Sequence, residues 1–192
     1  MKDFNYYAPT EVVFGEQSEE QVAALVKKYG GTKVLVHYGG QSAIRSGLLD
    51  KICGLLDDSG VAYVKLGGVV PNPRLSLAKQ GIELCRREGV DFILAVGGGS
   101  VIDSAKCIAY GVPLVDEASK LCAEGCEPDV WDIYLGKITP KTMLPVASVL
   151  TIPAAGSEMS EASVITNEDG NVKLGYSNTM SRPKFAIMNT CS

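Results

Sequence analysis

Three consecutive glycines, Gly97-Gly98-Gly99, join the apolar segment Asp91 to Val96 to Ser100-Val101-Ile102-Asp103-Ser104-Ala105-Lys106. Glycine has no Cβ, so a phosphate can approach such a backbone closely. The amides of a helix's first turn, together with the helix dipole, attract its charge. A tight strand-to-helix turn with Ser100 as N-cap needs one glycine, and three in a row favour an anion cradle. The motif is neither Gly-x-Gly-x-x-Gly nor a P-loop, because no Gly-Lys-Ser/Thr follows. Asp103 stands three residues after Ser100 and makes an Asp form of the capping box. A carboxylate aimed at a pyrophosphate would repel it, so the residues alone favour capping over ligand binding for Asp103.

A second glycine turn, Gly39-Gly40-Gln41-Ser42, follows the apolar run Lys33 to Tyr38. In dinucleotide folds an acid at such a strand end holds the adenosine ribose hydroxyls, whereas a 2′-phosphate requires that acid to be absent. No Asp or Glu occurs between Lys33 and Ser42, and Arg45 follows. The turn therefore suits the extra phosphate of NADP(H), although a plain helix-start turn explains the glycines equally. His37, the only histidine, lies inside the apolar run and reads as a packed imidazole.

The segments around these turns alternate in period. Ser18-Glu19-Glu20-Gln21 has the form of a capping box before a helix carrying Val22, Leu25, Val26 and Tyr29 and closed by Gly30. Lys33 to Tyr38, Val61 to Leu66, Asp91 to Val96, Val146 to Ile152 and Lys184 to Met188 read as strands. Leu48 to Leu56, ended near Gly60, and Leu75 to Cys85 carry helical stripes between them. Ser163 to Thr166 and Val172 to Gly175, joined by Asn167-Glu168-Asp169-Gly170, read as a β-hairpin. Strands separated by helices need crossovers, which gives a doubly wound parallel α/β sheet with helices on both faces, plus the hairpin. Ligands of such sheets bind at the carboxyl ends of the strands, where both glycine turns fall.

The 192 residues make about one domain, taken as 1–192. Eighteen Lys and Arg against 22 Asp and Glu, with no cationic cluster, exclude a duplex-binding surface. No apolar run reaches the ~18 residues of a membrane span, and no secretion signal is legible at the start. The expected compartment is the cytoplasm. Cys53, Cys85 and Cys107 sit in amphipathic segments as packed thiols, and Cys122 and Cys126 are one residue too far apart for a redox pair.

Gly97-Gly98-Gly99-Ser100 with Asp103 and Lys106 resembles the Gly-Gly-Gly-Ser-x-x-Asp-x-x-Lys signature of the iron-containing (group III) alcohol dehydrogenases. Tyr7-Ala8-Pro9-Thr10 leading to Phe14-Gly15 resembles that family's opening hairpin. Val70-Pro71-Asn72-Pro73-Arg74, Thr151-Ile152-Pro153-Ala154-Ala155-Gly156-Ser157-Glu158 and Arg182 to Ile187 match further landmarks in order. The pattern is nearest to the NADPH-dependent butanol dehydrogenase and aldehyde reductase branch, and Tyr38-Gly39-Gly40 with Pro71-Asn72-Pro73 disfavours a glycerol dehydrogenase-like relative. The resemblance implies that Gly97, Gly98, Gly99 and Ser100 hold a pyrophosphate. It assigns the adenosine end to Gly39, Gly40 and Ser42, and the loop beside it to Asn72. Asp103, Thr151 and Lys173 would line the nicotinamide-ribose side, in place of the capping role for Asp103. Ala155 stands where the family usually has Thr. The family's divalent metal, iron or zinc, is held by one aspartate and three histidines from a helical second half, which one histidine cannot supply. The resemblance thus implies the NADP(H)-binding half of an alcohol dehydrogenase or aldehyde reductase, inactive alone, whose bare cleft face promotes homo-oligomers or aggregation. The alternative is a stand-alone nucleotide-binding module.

Overall fold

Strict alternation along Phe92–Gly97 decides the layering. Phe92, Leu94 and Val96 point to one core, Ile93 and Ala95 to another, and the whole strand is buried. The computed structural model describes residues 8–40, 42–114, 128–151 and 156–189. Six parallel strands lie in the order β1 (Glu11–Phe14), β8 (Phe185–Met188), β5 (Val146–Leu150), β4 (Phe92–Gly97), β2 (Lys33–Gly39) and β3 (Ala62–Val69). Helices α1 (Val22–Lys28), α2 (Ser42–Arg45) and α3 (Leu48–Asp58) belong to one face, where Val26, Ala43, Ile52 and Leu56 meet Val34, Leu94 and Ile187. On the other, α4 (Leu75–Glu88), α5 (Gly99–Gly111) and α6 (Trp131–Tyr134) meet Leu35, Ile93, Val146 and Ala186. Outside the main sheet, β6 (Ala162–Asn167) and β7 (Val172–Ser177) pair antiparallel. The doubly wound reading and the hairpin are both observed.

Helix α5 is buried from Val101 to Gly111 at all but Asp103, because β-sheet, α4 and hairpin all pack on it. The strands agree with the sequence reading to within a few residues, β3 running on to Val69.

One local expectation fails. The chain first makes a 3₁₀ turn at Ser18–Gln21 and α1 begins only at Val22, so no capping box forms. Glu19 instead turns inward, accepting from Lys51 at 2.5 Å and from the Asn189 amide at 2.8 Å. The opening hairpin lies partly outside the described residues. Glu11–Phe14 pairs in parallel with Phe185–Met188, and Tyr7 lies outside the described residues. Ala155, Cys122, Cys126 and Cys191 lie outside them too. Cys53, Cys85 and Cys107 are buried free thiols, as expected.

His37 is fully buried, with Nδ1 2.8 Å from the Leu66 carbonyl and Nε2 2.8 Å from Ser104 Oγ. A carbonyl only accepts, so Nδ1 carries the proton and the Ser104 hydroxyl donates to Nε2. Burial lowers its pKa to about 4, against the weaker pull of the Leu66 carbonyl. The unfolded chain, titrating near 6.5, therefore takes up a proton first. Stability is expected to fall by about 3 kcal/mol as pH drops from about 6.5 to about 4. Because His37 is the only histidine, its imidazole resonances report this directly. Titration near 6.5 in the folded protein would contradict the prediction.

Candidate functional site

β2 and β4 are neighbours, in register through His37↔Ala95 and Tyr38↔Val96. The chain leaves β2 toward β3 on one side and leaves β4 toward β5 on the other. Adjacent strands whose onward connections diverge open a crevice at their carboxyl ends. Gly39-Gly40 closes one of these strands and Gly97-Gly98-Gly99 the other.

The glycines divide into two kinds. A Cβ on Gly97 would lie 2.6 Å from Val101 Cγ2, and one on Gly39 3.4 Å from the same methyl. Both let the first turn of α5 settle between the strand ends. Gly98 and Gly40 differ, since a Cβ at either meets nothing within 4 Å. Their faces are open, as an anion cradle requires. The Val101 and Ile102 amides both donate to the Gly98 carbonyl, at 3.0 and 3.2 Å. The Gly99 and Ser100 amides precede the first residue that can find an acceptor within the helix. The Thr151 amide donates to the Gly97 carbonyl at 3.2 Å, bringing the end of β5 to the same turn. Ser42 begins α2 beyond Gly40, and its side chain lies outside the description.

The expected Ser100 cap and its Asp103 partner are not formed. Gly98 is the N-cap of α5, which starts one residue before Ser100, and no side chain caps it. Asp103 instead faces the hairpin, where its Oδ2 accepts the Val164 amide at 3.3 Å. Its Oδ1 is buried and has no hydrogen-bond partner among the described residues. Burial raises the Asp103 pKa, opposed by Lys106, the Val164 amide, the Ser157 hydroxyl and Lys173. Such a carboxyl, with a free oxygen, suits a hydroxyl-bearing ligand better than its sequence position suggests.

Lys106, one helical turn on, is fully buried. Its ammonium donates to the carbonyls of Ser157 (2.9 Å), Ser160 (2.8 Å) and Ala162 (2.9 Å), fastening residues 157–162 over α5. Burial lowers its pKa to about 8, while Asp103 and Glu158 hold it up. Sequence reasoning gave this lysine no role beyond its place in the signature. The signal was present: Lys106 follows Ile102 by four and precedes Tyr110 by four, on the buried side of the helix. Arg182 and Glu161, 2.9 Å apart, tie the start of the hairpin to the approach to β8 and were likewise missed.

Asn72 adopts a left-handed conformation (φ 59°), and its Oδ1 accepts from Lys173 Nζ at 2.7 Å. Asn72 follows β3 closely, and Gly39 pairs with Val69 of that strand. The structure therefore places Gly39, Asn72, Gly97 and Thr151 at or just beyond the carboxyl ends of β2, β3, β4 and β5, whereas Asp103 lies in α5 and Lys173 on the hairpin. No direct bond joins the Asn72–Lys173 pair to the glycine turns among the described residues. His37, with both ring nitrogens engaged by protein, is excluded as a ligand.

Fold and crevice together define a doubly wound α/β domain with its topological switch point between β2 and β4. Residues 9–190 match the family model described as "Iron-containing alcohol dehydrogenase", and the chain belongs to that family. It is 44% identical over 98% of its length to the probable NADH-dependent butanol dehydrogenase 2 of Bacillus subtilis. Identity to the NADPH-dependent aldehyde reductase YqhD of Escherichia coli is 33%, again over 98% of this chain. The chain spans 45% of the length of each of these relatives. The crystal structure of NADH-dependent butanol dehydrogenase A from Thermotoga maritima superposes with a TM-score of 0.86 at 39% identity. That match covers 98% of this chain and 44% of the other. No helix among the described residues is long and apolar enough to cross a membrane.

Proposed function

We propose that residues 1–192 are the dinucleotide-binding domain of a metal-dependent alcohol dehydrogenase or aldehyde reductase. In this reading Gly97, Gly98, Gly99 and Ser100 hold the pyrophosphate, while Gly39, Gly40 and Ser42 hold the adenosine end. Asn72 sits beside them. Asp103, Thr151 and Lys173 line the nicotinamide-ribose side, with Asp103 Oδ1, unpartnered among the described residues, available to a ribose hydroxyl. The observation that carries the reading is the contrast at the switch point, where Gly97 is filled by Val101 and Gly98 lies open.

NADP(H) is favoured over NAD(H), because the segment from Lys33 to Gly40 offers no carboxylate to a ribose 2′-hydroxyl and would not repel a 2′-phosphate. The named relatives divide between NADH and NADPH, so the cofactor is read from this chain's own residues. Titration of the full chain by nicotinamide fluorescence is expected to give NADPH roughly 10-fold tighter binding than NADH, the scale of one charge-assisted hydrogen bond. Equal affinities overturn the preference, and no binding of either overturns the site.

Hydride transfer belongs to the whole protein in this proposal. Among the described residues no group of three or more His, Cys, Asp and Glu side chains could hold a metal ion. The metal would polarise the alcohol or carbonyl oxygen when bound, and its donors would lie outside this chain. Residues 1–192 alone are expected to bind NADPH without reducing butyraldehyde, and turnover by them alone would contradict the assignment. Self-association is part of the same reading. Among the described residues Phe14, 71% exposed on β1 at the end of the sheet, presents an apolar side chain to solvent.

A further inference from the structure

The hairpin has no strand partner in the main sheet, yet it carries Lys173. Three links in a row fasten it to residues 72–76. Lys173 donates to Asn72 Oδ1 at 2.7 Å. Its cross-strand partner Thr166 donates its amide to the Pro73 carbonyl at 2.9 Å. At the hairpin tip, Glu168 Oε2 accepts the Ser76 amide at 3.3 Å and Oε1 accepts the Ser76 hydroxyl. Helix α4 has no cap of its own, since Arg74 stands at its N-cap without a side-chain bond. The carboxylate that satisfies its first turn arrives from 92 residues further along the chain.

We infer that Glu168 is a positioning residue for the nicotinamide cofactor: by capping α4 from the hairpin tip, it holds Lys173 on Asn72 at the edge of the crevice. This inference rests on the proposed placement of Asn72 and Lys173 beside the cofactor. Thr166 and Pro73 form the middle link. With Glu168 removed, the Thr166–Pro73 and Lys173–Asn72 links remain, but the hairpin tip is no longer tied to α4 and Lys173 is held less firmly on Asn72. A cap of α4 alone would need no residue from this hairpin, whereas the Thr166↔Lys173 register makes the tip and the lysine move together.

The test is a double-mutant cycle on NADPH affinity in the full chain, using Glu168→Ala, Lys173→Ala and the double variant, with far-UV circular dichroism as the fold check. Glu168→Ala and Lys173→Ala are each expected to weaken binding roughly 5- to 10-fold, the scale of one such hydrogen bond. The double variant is expected to bind no worse than Lys173→Ala, because Glu168 acts through the lysine. Glu168→Gln, which retains an acceptor for the Ser76 amide, should restore most of the affinity. Ser76→Ala removes only the hydroxyl link and serves should Glu168→Ala unfold; it should give a smaller loss that vanishes in the Lys173→Ala background. Multiplying losses, or wild-type affinity in Glu168→Ala or Ser76→Ala, overturn the inference alone. Absence of NADPH binding by the wild-type chain overturns the proposed function and this inference with it.

Discussion

Gly98→Asp is expected to leave the fold as stable as before, or a few tenths of a kcal/mol more stable, while weakening NADPH binding about 100-fold or more. Gly98 is the N-cap of α5, with φ −98° and ψ −167°, a conformation open to any L-residue, and its Cβ would meet nothing within 4 Å. Asp is among the best N-caps and would satisfy a first-turn amide now left without an intrahelical partner. The same carboxylate would occupy the space proposed for the pyrophosphate and repel its charge. Gly97→Ala should do the opposite. Its methyl would meet Val101 Cγ2 at 2.6 Å, and the β-branched Val101, buried in the core, has one favoured rotamer in a helix and cannot swing aside. The expected loss is about 1–3 kcal/mol of stability. Chemical denaturation and NADPH titration of the two variants separate the effects. Unchanged NADPH affinity in Gly98→Asp would remove the pyrophosphate from this turn.

Lys106→Met should be strongly destabilising. Methionine keeps the length and unbranched shape of the side chain, so the change removes charge and hydrogen bonds while creating little cavity. The carbonyls of Ser157, Ser160 and Ala162 would then share a buried region without their donor. Each orphaned group costs about 1–3 kcal/mol, and the expected total of about 3–5 kcal/mol is a large part of the 5–15 typical of a whole domain. NADPH binding should weaken as well, since the same ammonium fastens the chain between Thr151 and the hairpin that presents Lys173. Urea unfolding of the variant measures the first effect. A loss below about 1 kcal/mol would mean that water replaces the ammonium, and that its role is replaceable packing.

Much of this architecture was legible in the residues. Alternation in Phe92–Gly97, the stripes Leu49-Ile52-Cys53-Leu56 and Leu75-Ala78-Ile82-Cys85, and the Asn167 to Gly170 turn each specify an element through neighbours within one or two turns. Local periodicity was a poor guide where two local solutions compete. Ser18 and Ser100 both head plausible caps, but a 3₁₀ turn intervenes at the first, and at the second the helix begins at the glycines themselves. The parallel pairing of Glu11–Phe14 was not legible, because its partner lies some 170 residues away in β8.

Residue order by itself determined the parallel doubly wound class, the glycine turns at the strand ends, the absence of an acid after β2 and the buried state of His37. These follow from chain stereochemistry and from how apolar residues repeat, and both act over a few residues. Tertiary structure alone decided that Asp103 faces the hairpin with one oxygen unpaired among the described residues, that Lys106 serves main-chain carbonyls, and that Glu168 caps a helix 92 residues upstream. A carbonyl acceptor carries no side-chain identity, so sequence cannot reveal which buried cation will reach it. Only the packing of α5 beneath the hairpin brings donor and acceptor together.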